Sequence, residues 1–290
     1  HWNKTVVEGL DVLDPITRIL DMSRIGPVLT FEDEAVRKGP PVTAMLVQNT
    51  NPAAVAPDTK RVLKGLKRDD LFLCVHEQFL TETAQLADII LPATMFLEHD
   101  DIYQAGGHMH LQIHRAVIEA PEQTRSNHWV INELAKRLGA QHPGFGMTEW
   151  ELIDKTLLDS GWPSADALLE KKWHDVQPSF ADSHFLNGFP TSTGRFQFSA
   201  DWSKLGPLGS KLPNYPDHCD NIDSATAEKP FRLITSPARN YLNTSFTETP
   251  TSKRKEVRPT VKIHPDAASQ LCLEDGDKVL SLIHISEPTR

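Results

Sequence analysis

The sequence is poor in cysteine and has no long hydrophobic run. Its three cysteines, Cys74, Cys219 and Cys272, are too far apart to form a paired metal motif or a disulfide framework. This usage suits a reducing compartment, so we expect a cytoplasmic protein. No apolar run is long enough to cross a bilayer, and we expect no membrane segment in this chain.

Positive charge is also scarce. There are 30 Lys and Arg residues against 39 Asp and Glu residues, which gives a net charge of -9. A general nucleic-acid binder needs a basic face to meet the phosphates, so we expect no nucleic-acid partner. Apolar residues make up 39% of the chain and charged residues 24%, a balance that is typical of globular proteins.

Both ends of the chain have unusual sequences. The chain begins at His1, with no Met and no signal-type apolar segment, so we expect it to start inside a longer protein. Export of that protein to the periplasm therefore stays open. Residues 281–290 resemble a translated sequencing adapter, and we expect them to be an artefact.

Residues 71–75 organise the first half of the chain. They form an uncharged apolar run, which is typical of a strand buried on both faces. We expect this strand to stop at His76, Glu77 and Gln78, with a ligand lying beyond its carboxyl end. The polar groups expected against the ligand are those of His76, Glu77, Thr81 and Thr83. The alternative is that these four residues only cap and solvate a loop.

The next segment predicts a short helix and a second strand. The hydroxyls of Thr81 and Thr83 can cap a helix over residues 84–87. Residues 89–91 then form another apolar run, which ends at Pro92.

An earlier segment follows the same plan. Residues 42–48 predict a buried strand that ends near Asn51, and residues 59–66 predict an amphipathic helix. Successive units of strand, turn and helix indicate a parallel sheet, so the polar loop tips should share one edge.

Helices are predicted again after residue 126. Ser126 caps a helix over residues 127–138, and Gly139 ends it. Residues 148–173 are helical, with an interruption at residues 161–163. The expected buried stripe of the first helix is Trp129, Val130, Leu134, Ala135 and Leu138.

Three histidines form a candidate metal set. His108, His110 and His114 fall on one face of a predicted strand. No Cys, Asp or Glu completes the set, so we favour an ordinary polar strand.

The second half of the chain has a different composition, with many Pro, Gly, Ser, Asn and Asp residues after residue 174. We predict an irregular crossing over residues 174–229, with one strand pair at 193–198, after an α/β domain at 1–173. A β-rich domain should follow at 230–280. Its predicted elements are strands at 231–235, 258–263 and 278–280, a short helix at 267–271, and a long polar loop at 236–248.

Several stretches carry a combined signal: 48–52, 75–84, 87–92 with Glu98, 188–195, 233–246, 264–268 and 275–277. Their order and spacing over about 230 residues make the combination specific. Together they resemble the molybdopterin oxidoreductases, the dimethyl-sulfoxide-reductase and formate-dehydrogenase superfamily, and in particular its anaerobic-dehydrogenase-like branch.

The resemblance implies a fold and a cofactor. The fold would be a parallel-sheet, dinucleotide-binding-like α/β domain followed by the beginning of a double-psi-like β-barrel domain. The cofactor would be a bis-molybdopterin guanine dinucleotide carrying molybdenum or tungsten. The implied reactions are two-electron dehydrogenation and oxygen-atom transfer on a small-molecule substrate, with an electron-transfer subunit or domain as partner.

The resemblance also implies which residues contact the cofactor. Glu77 would accept hydrogen bonds from guanine N–H groups or ribose hydroxyls, and Arg239 would pair with a pyrophosphate. His99 stands where some relatives have Lys, and Asn127 where some have Asp. The full set is Asn51, His76, Glu77, Thr81, His99, Asn127, Thr235, Ser236, Pro237, Arg239, Asn240, Asn243 and Thr244.

Some features of the family are missing. The cysteine cluster for a [4Fe–4S] centre is absent, as are the metal-ligating Cys, selenocysteine or Ser and the nearby acid–base residue. We therefore expect no catalytic or metal-ligating residue here, an iron–sulfur cluster only in a region outside this chain, and no activity from the chain alone.

Two other interpretations stay open. One is a metal-free structural relative, such as the large iron–sulfur subunit of respiratory complex I. The joint presence of the polar nucleotide-facing residues favours the enzyme over it. The other is an unrelated nucleotide-binding domain, such as a thiamine-diphosphate type, against which the loop at 236–248 and the helix after His264 argue.

Overall fold

A computed structural model describes residues 18, 20–199, 201–202, 212–215, 217 and 225–279. The predictions made for Cys219, for residues 281–290 and for the start of the chain lie outside these residues. The last predicted strand, 278–280, lies partly outside them.

The described part begins with short helices. A 3-10 turn, Met22–Arg24, leads into α1 (Ile25–Leu29), and α2 (Glu34–Arg37) follows. Asp21 starts the 3-10 turn by accepting a hydrogen bond from the backbone N–H of Ser23.

A parallel three-stranded sheet forms the centre of the α/β region. The strands are parallel, as the sequence predicted, and they lie in the order β1-β2-β3. The elements are β1 (Ala44–Gln48), α3 (Pro52–Val55), α4 (Thr59–Leu66), β2 (Phe72–Glu77), a 3-10 turn at Ala84–Leu86 and β3 (Ile89–Pro92).

Helix α4 covers this sheet through its apolar face. Asp58 begins the helix by accepting from the backbone N–H of Arg61, and Val62 is fully buried. A Cβ added at Gly65 would clash with Leu29, so a glycine allows α4 to approach α1 closely. The core comprises Leu29, Val47, Ala53, Val62, Leu66, Leu71, Leu73, Val75 and Ala84.

Strand β2 is longer than predicted, and β3 is partly exposed. Strand β2 continues through His76 and Glu77, because both pair with neighbouring strands, whereas we expected it to stop before them. Ile89 and Ile90, which belong to the predicted apolar run, are 45% and 44% exposed. They lie on β3, which among the described strands pairs with β2 alone and so forms an edge of the sheet.

A second sheet has the strand order β4-β5-β6. The strands are β4 (Asp101–Gln104), β5 (His110–His114) and β6 (His174–Asp175). In β5, Leu111 and Ile113 are buried while His110 and Gln112 are exposed, which is the alternation of a half-buried strand.

The predicted helices after residue 126 are present. Helix α5 (Asn127–Leu138) is capped by Ser126 and ends at Gly139, which has a φ of 69°. A 3-10 turn at Pro143–Gly146 precedes α6 (Glu149–Asp159) and α7 (Ala165–Lys171).

The buried stripe of α5 is narrower than expected. Val130 and Ala135 are buried, but Trp129 and Leu138 are 46% and 81% exposed, and Leu134 is also exposed. Periodicity correctly placed these residues on a helix. However, no described part of the chain covers the whole apolar stripe.

The chain divides into two compact units. The first comprises His1–Tyr103, Gln112–His174 and Thr235–Arg290, and the second Gln104–Leu111 and Asp175–Ile234. The second unit contains α8 (Phe180–Ser183). The strand pair predicted at 193–198 is wrong, because this segment consists of turns and irregular backbone.

Helices, rather than strands, are the regular elements of residues 225–279. Helices α9 (Pro250–Glu256) and α10 (Pro265–Gln270) are present, and α10 matches the predicted short helix. Within residues 225–279 the structure contains no strand, only an isolated bridge between Leu242 and Ser245. The strands predicted at 231–235 and 258–263 are therefore wrong here, since neither has a hydrogen-bonded partner.

Candidate functional site

The carboxyl ends of β1 and β2 form one polar edge. The backbone N–H of Asn49, just after β1, donates to the carbonyl oxygen of His76 at 3.1 Å. Asn49 has a φ of 51°, a left-handed conformation that Asn tolerates well, and it turns the chain toward Asn51. This turn brings the end of β1 next to the elbow that follows β2.

Asn51 lies at the centre of a buried hydrogen-bond network. Its side chain is almost fully buried, and its Nδ2 donates to Oε2 of Glu82 at 2.8 Å. Its Oδ1 accepts from the backbone N–H and the hydroxyl of Thr83, at 3.2 and 2.8 Å. The Thr83 hydroxyl in turn accepts from the backbone N–H of Ala53 at 3.0 Å. Side-chain hydrogen bonds from Asn51 thus join the segment after β1 to the segment after β2.

His76 faces the protein interior. It is fully buried, its Nδ1 lies 3.2 Å from Nε2 of Gln48, and its Nε2 lies 3.0 Å from the carbonyl oxygen of Arg125. Both ring nitrogens therefore have protein partners. In this arrangement His76 ties β1 and β2 to the segment before α5 and offers no free nitrogen to a ligand.

Glu77 and Thr81 lie nearer the surface of the same edge. Glu77 is half-buried, and its Oε1 accepts from the backbone N–H of Gln78 at 2.7 Å. The Thr81 hydroxyl accepts from the backbone N–H of Ala84 at 3.2 Å, so it caps the short turn as the alternative reading proposed. A carboxylate has further acceptor capacity, and Glu77 remains the candidate ligand of the pair.

His99 lines a groove at the start of α5. Its Nδ1 lies 2.8 Å from the hydroxyl of Thr94, and its Nε2 lies 3.7 Å from Oδ2 of Asp101. The groove has a volume of about 530 Å³, and Arg125 also contributes to its wall. Asn127 is exposed at the first turn of α5, between two residues that line the groove. The structure thus brings His99 close to the segment that carries Asn127.

The loop between residues 235 and 248 is mostly exposed. Thr235, Ser236, Pro237, Arg239 and Asn243 are exposed, whereas Asn240 and Thr244 are half-buried.

Asn240 holds this loop against α9. Its backbone N–H and its Nδ2 both donate to Oε1 of Glu256, at 2.7 and 2.8 Å. The Arg239 guanidinium makes no hydrogen bond or ion pair with any described residue. Within the described chain the loop forms no hydrogen bond with Asn51 or Glu77, so its convergence on that edge stays a prediction.

Two titratable groups near the sheets are perturbed. Burial raises the pKa of the Cys74 thiol, which lies in β2. Burial, followed by the negative charge of Asp101, raises the pKa of Tyr103 to about 12. The Tyr103 hydroxyl lies 2.9 Å from Nε2 of His114, so this histidine contacts a tyrosine.

The described ranges lack both a metal-ligand cluster and a membrane span. These ranges contain no group of three or more His, Cys, Asp or Glu side chains that could hold a metal ion, and this includes the three histidines around β5. No helix in the same part of the chain has the length and apolar character needed to cross a bilayer.

Sequence reasoning missed Glu82 as part of the site, and it placed Thr83 against the ligand or as a helix cap, whereas the Thr83 hydroxyl is buried between Asn51 and Ala53. Glu82 and Thr83 both contact Asn51, which lies on a different strand end. The available signal was the parallel sheet itself, because the carboxyl ends of adjacent parallel strands meet at one edge. The polar residues that follow β2, which include Glu82 and Thr83, were therefore candidate neighbours of Asn51.

Comparisons with known proteins agree with this architecture. Residues 28–137 match the family model of the molybdopterin oxidoreductases. The chain is 31% identical over 287 residues to "Probable oxidoreductase YoaE" of Bacillus subtilis, covering 96% of the chain and 40% of that protein. It is 34% identical over 263 residues to the "F420-dependent formate dehydrogenase subunit alpha" of Methanocaldococcus jannaschii, covering 87% of the chain and 36% of that protein.

A solved structure supports the fold. The acetylene hydratase from Pelobacter acetylenicus superposes with a TM-score of 0.69 at 22% identity, over 89% of this chain and 35% of that one. The chain thus spans at most about two fifths of the length of these relatives. From the matched family model, the relatives and the shared fold, the chain belongs to the molybdopterin oxidoreductase family.

Proposed function

We propose that this chain is the part of a molybdenum- or tungsten-dependent oxidoreductase that holds the guanine nucleotide end of a bis-molybdopterin guanine dinucleotide. The whole protein would catalyse two-electron dehydrogenation or oxygen-atom transfer on a small molecule. An electron-transfer subunit or domain would exchange the electrons.

The polar edge at the ends of β1 and β2 carries the proposal. Asn51, Glu77 and Glu82 place an amide and two carboxylates at the edge where parallel α/β sheets bind nucleotides. Guanine offers N–H donors beside a carbonyl acceptor, and ribose offers hydroxyls, so this set of amide donors and carboxylate acceptors fits both. It does not fit a phosphate, which carries the same sign of charge as the carboxylates.

The loop at 235–248 would hold the charged part of the cofactor. Arg239 is exposed, and its guanidinium can pair with a pyrophosphate through two parallel hydrogen bonds. We further propose that the apolar segments at 231–235 and 258–263 become strands of a double-psi-like barrel when they meet partner strands. The half-exposed Phe231 and Val261 support this, because such side chains are normally covered in a barrel.

The bound metal would supply the electron transfer, and the protein residues would bind and orient the cofactor. The described residues contain no metal-binding group, so ligation through the dithiolene sulfurs and through residues outside this chain is part of the proposal. We likewise propose that any iron–sulfur cluster is bound by residues outside this chain.

The direct test uses the full-length protein purified from its natural host. We expect stoichiometric molybdenum or tungsten by elemental analysis, and guanine nucleotide released by acid hydrolysis. A protein with neither metal nor guanine nucleotide would contradict the proposal and would favour the metal-free structural relative.

A further inference from the structure

The side-chain amide of Asn51 has only one possible orientation. Its Oδ1 accepts from the backbone N–H of Thr83 at 3.2 Å. If the amide were turned over, its N–H hydrogens would face that N–H, which has no lone pair to accept them. The observed orientation is therefore required, and Nδ2 must point toward Glu82, where it donates at 2.8 Å.

The Thr83 hydroxyl is directed in the same way. It accepts from the backbone N–H of Ala53 at 3.0 Å, and its own hydrogen points to Oδ1 of Asn51 at 2.8 Å. Thr83 is fully buried and Asn51 is 4% exposed, so water does not compete for these bonds. Hydrogen bonds thus run in one direction from Ala53 through Thr83 and Asn51 to Glu82.

This direction limits what the site can bind. Both lone pairs of the Asn51 Oδ1 are engaged, so Asn51 can offer a ligand only its second Nδ2 hydrogen. Beside it, the partly exposed carboxylate of Glu82 can accept a hydrogen. The ligand group must therefore accept one hydrogen bond and donate another. A hydroxyl or the edge of guanine does both, whereas a phosphate at neutral pH is repelled by Glu82.

We propose that Thr83 is the positioning residue of the nucleotide site, and that the Asn51–Glu82 pair binds an uncharged group of the nucleotide. The phosphates are then held elsewhere. This inference rests on the proposed function, because it names the part of the nucleotide that this edge takes.

The test compares Thr83→Val with Thr83→Ser in the full-length protein, produced without cofactor. Valine has the shape of threonine but no hydroxyl, whereas serine keeps the hydroxyl. Guanosine, 2′,3′-dideoxyguanosine and inorganic pyrophosphate serve as probes in calorimetric titrations. We expect Thr83→Val to weaken guanosine binding about tenfold or more and to leave pyrophosphate within about twofold, since one charge-assisted contact is misplaced. Thr83→Ser should bind guanosine nearly as well as the wild type.

The dideoxy probe tells the two sources of the uncharged group apart. If the pair binds ribose, the wild type binds the dideoxy compound weakly and Thr83→Val changes nothing further. If it binds the base edge, the dideoxy compound behaves like guanosine.

A lower melting temperature for Thr83→Val with unchanged guanosine affinity would overturn the proposal, since it would show a purely structural role. Equal losses for guanosine and pyrophosphate would overturn it as well. If Thr83→Val does not fold, Glu82→Gln takes its place, with the exposed Glu170→Gln as a matched control. Glu82→Gln should weaken guanosine alone, and an unchanged guanosine affinity would refute the assignment. A wild-type protein that binds none of the probes would instead count against the proposed function.

Discussion

Nε2 of His76 lies 3.0 Å from the carbonyl oxygen of Arg125, a residue 49 positions later in the chain. This contact joins the middle strand of the parallel sheet to the segment that leads into α5. The backbone N–H of Thr94 donates to the same carbonyl at 3.1 Å, so the segment is fixed from two sides. The polar edge and the groove beside His99 are thereby held in one frame.

We expect His76→Leu to destabilise the fold. The leucine would leave the Gln48 amide, and part of the hydrogen bonding of the Arg125 carbonyl, without a partner in a buried place. The expected loss is about 2 kcal/mol of the free energy of unfolding, measured by urea denaturation. The exposed His184→Leu is the control and should change it by less than about 0.5 kcal/mol. Equal values for the two variants would disprove the structural role of His76.

Glu77→Ala should affect cofactor retention more than stability. The Glu77 side chain is half-buried, and among the described residues it bonds only the backbone N–H of the adjacent Gln78, so the fold loses little when it is removed. We expect the complete enzyme to lose most of its pterin and metal, as measured by pterin fluorescence and elemental analysis, with a nearly unchanged melting temperature. Glu77→Gln keeps the shape and isolates the effect of the charge. Wild-type metal and pterin content in Glu77→Ala would contradict this role.

The two described cysteines should differ in reactivity. Burial raises the pKa of the Cys74 thiol, and the thiolate is the form that reacts with alkylating reagents. Cys272 is exposed. In the native protein at pH 8 we expect iodoacetamide to label Cys272 faster, and the two rates to converge in urea, as followed by mass spectrometry of peptides. Faster native labelling of Cys74 would show that its strand opens readily.

The raised pKa of Cys74 also makes the free energy of unfolding depend on pH. Because the folded protein holds the Cys74 proton more tightly than the unfolded chain does, its contribution is fully present below the pKa of an ordinary thiol. It is lost as the pH rises through the raised folded value. Cys74→Ala should remove this alkaline component from the pH dependence of unfolding.

The start of α6 offers a test of capping. Thr148 and Glu151 exchange hydrogen bonds in a capping box, and the backbone and side-chain hydrogen bonds from Thr148 lower the pKa of Glu151. Thr148→Ala should cost about 1 kcal/mol of stability, and Thr148→Ser should cost much less. Hydrogen exchange of the first amides of α6 is the measurement.

The pH dependence of this cap follows from the lowered pKa. The stabilisation is present above the ordinary pKa of Glu, about 4.3, and is lost as the pH falls through the lowered folded value. The difference between wild type and Thr148→Ala should therefore shrink in acid. A difference that stays constant down to acid pH would argue against the role of Glu151.

Elements with strong local signals were predictable from the sequence. The bounds of α5 follow from the hydroxyl of Ser126 and from the left-handed Gly139, which act over a few residues. Strand β1 and helix α4 likewise carry their own apolar patterns and turn residues. The parallel order of the sheet then followed from the alternation of strands and helices.

Features that depend on distant residues were not predictable in the same way. Thr83 was predicted to cap a helix or face the ligand, because its actual partner, Asn51, lies 32 positions away. The exposure of Trp129 depends on what packs against α5, which periodicity does not report. Helix α9 was missed although Thr249 and Pro250 form a start signal and basic residues fill its last turn. The strands predicted at 231–235 and 258–263 had a local apolar pattern but are absent, because apolar residues without a pairing partner do not make a strand.

The parallel sheet also bears on the order of folding. Its pairings join positions only 28 residues apart between β1 and β2, and 15 apart between β2 and β3. Closing such short loops costs little chain entropy, so this core can assemble early during synthesis, before the segment of Asn127 has left the ribosome. Pulse-labelling of amides during refolding should find β1 to β3 protected ahead of α5, and the reverse order would rule this sequence of events out.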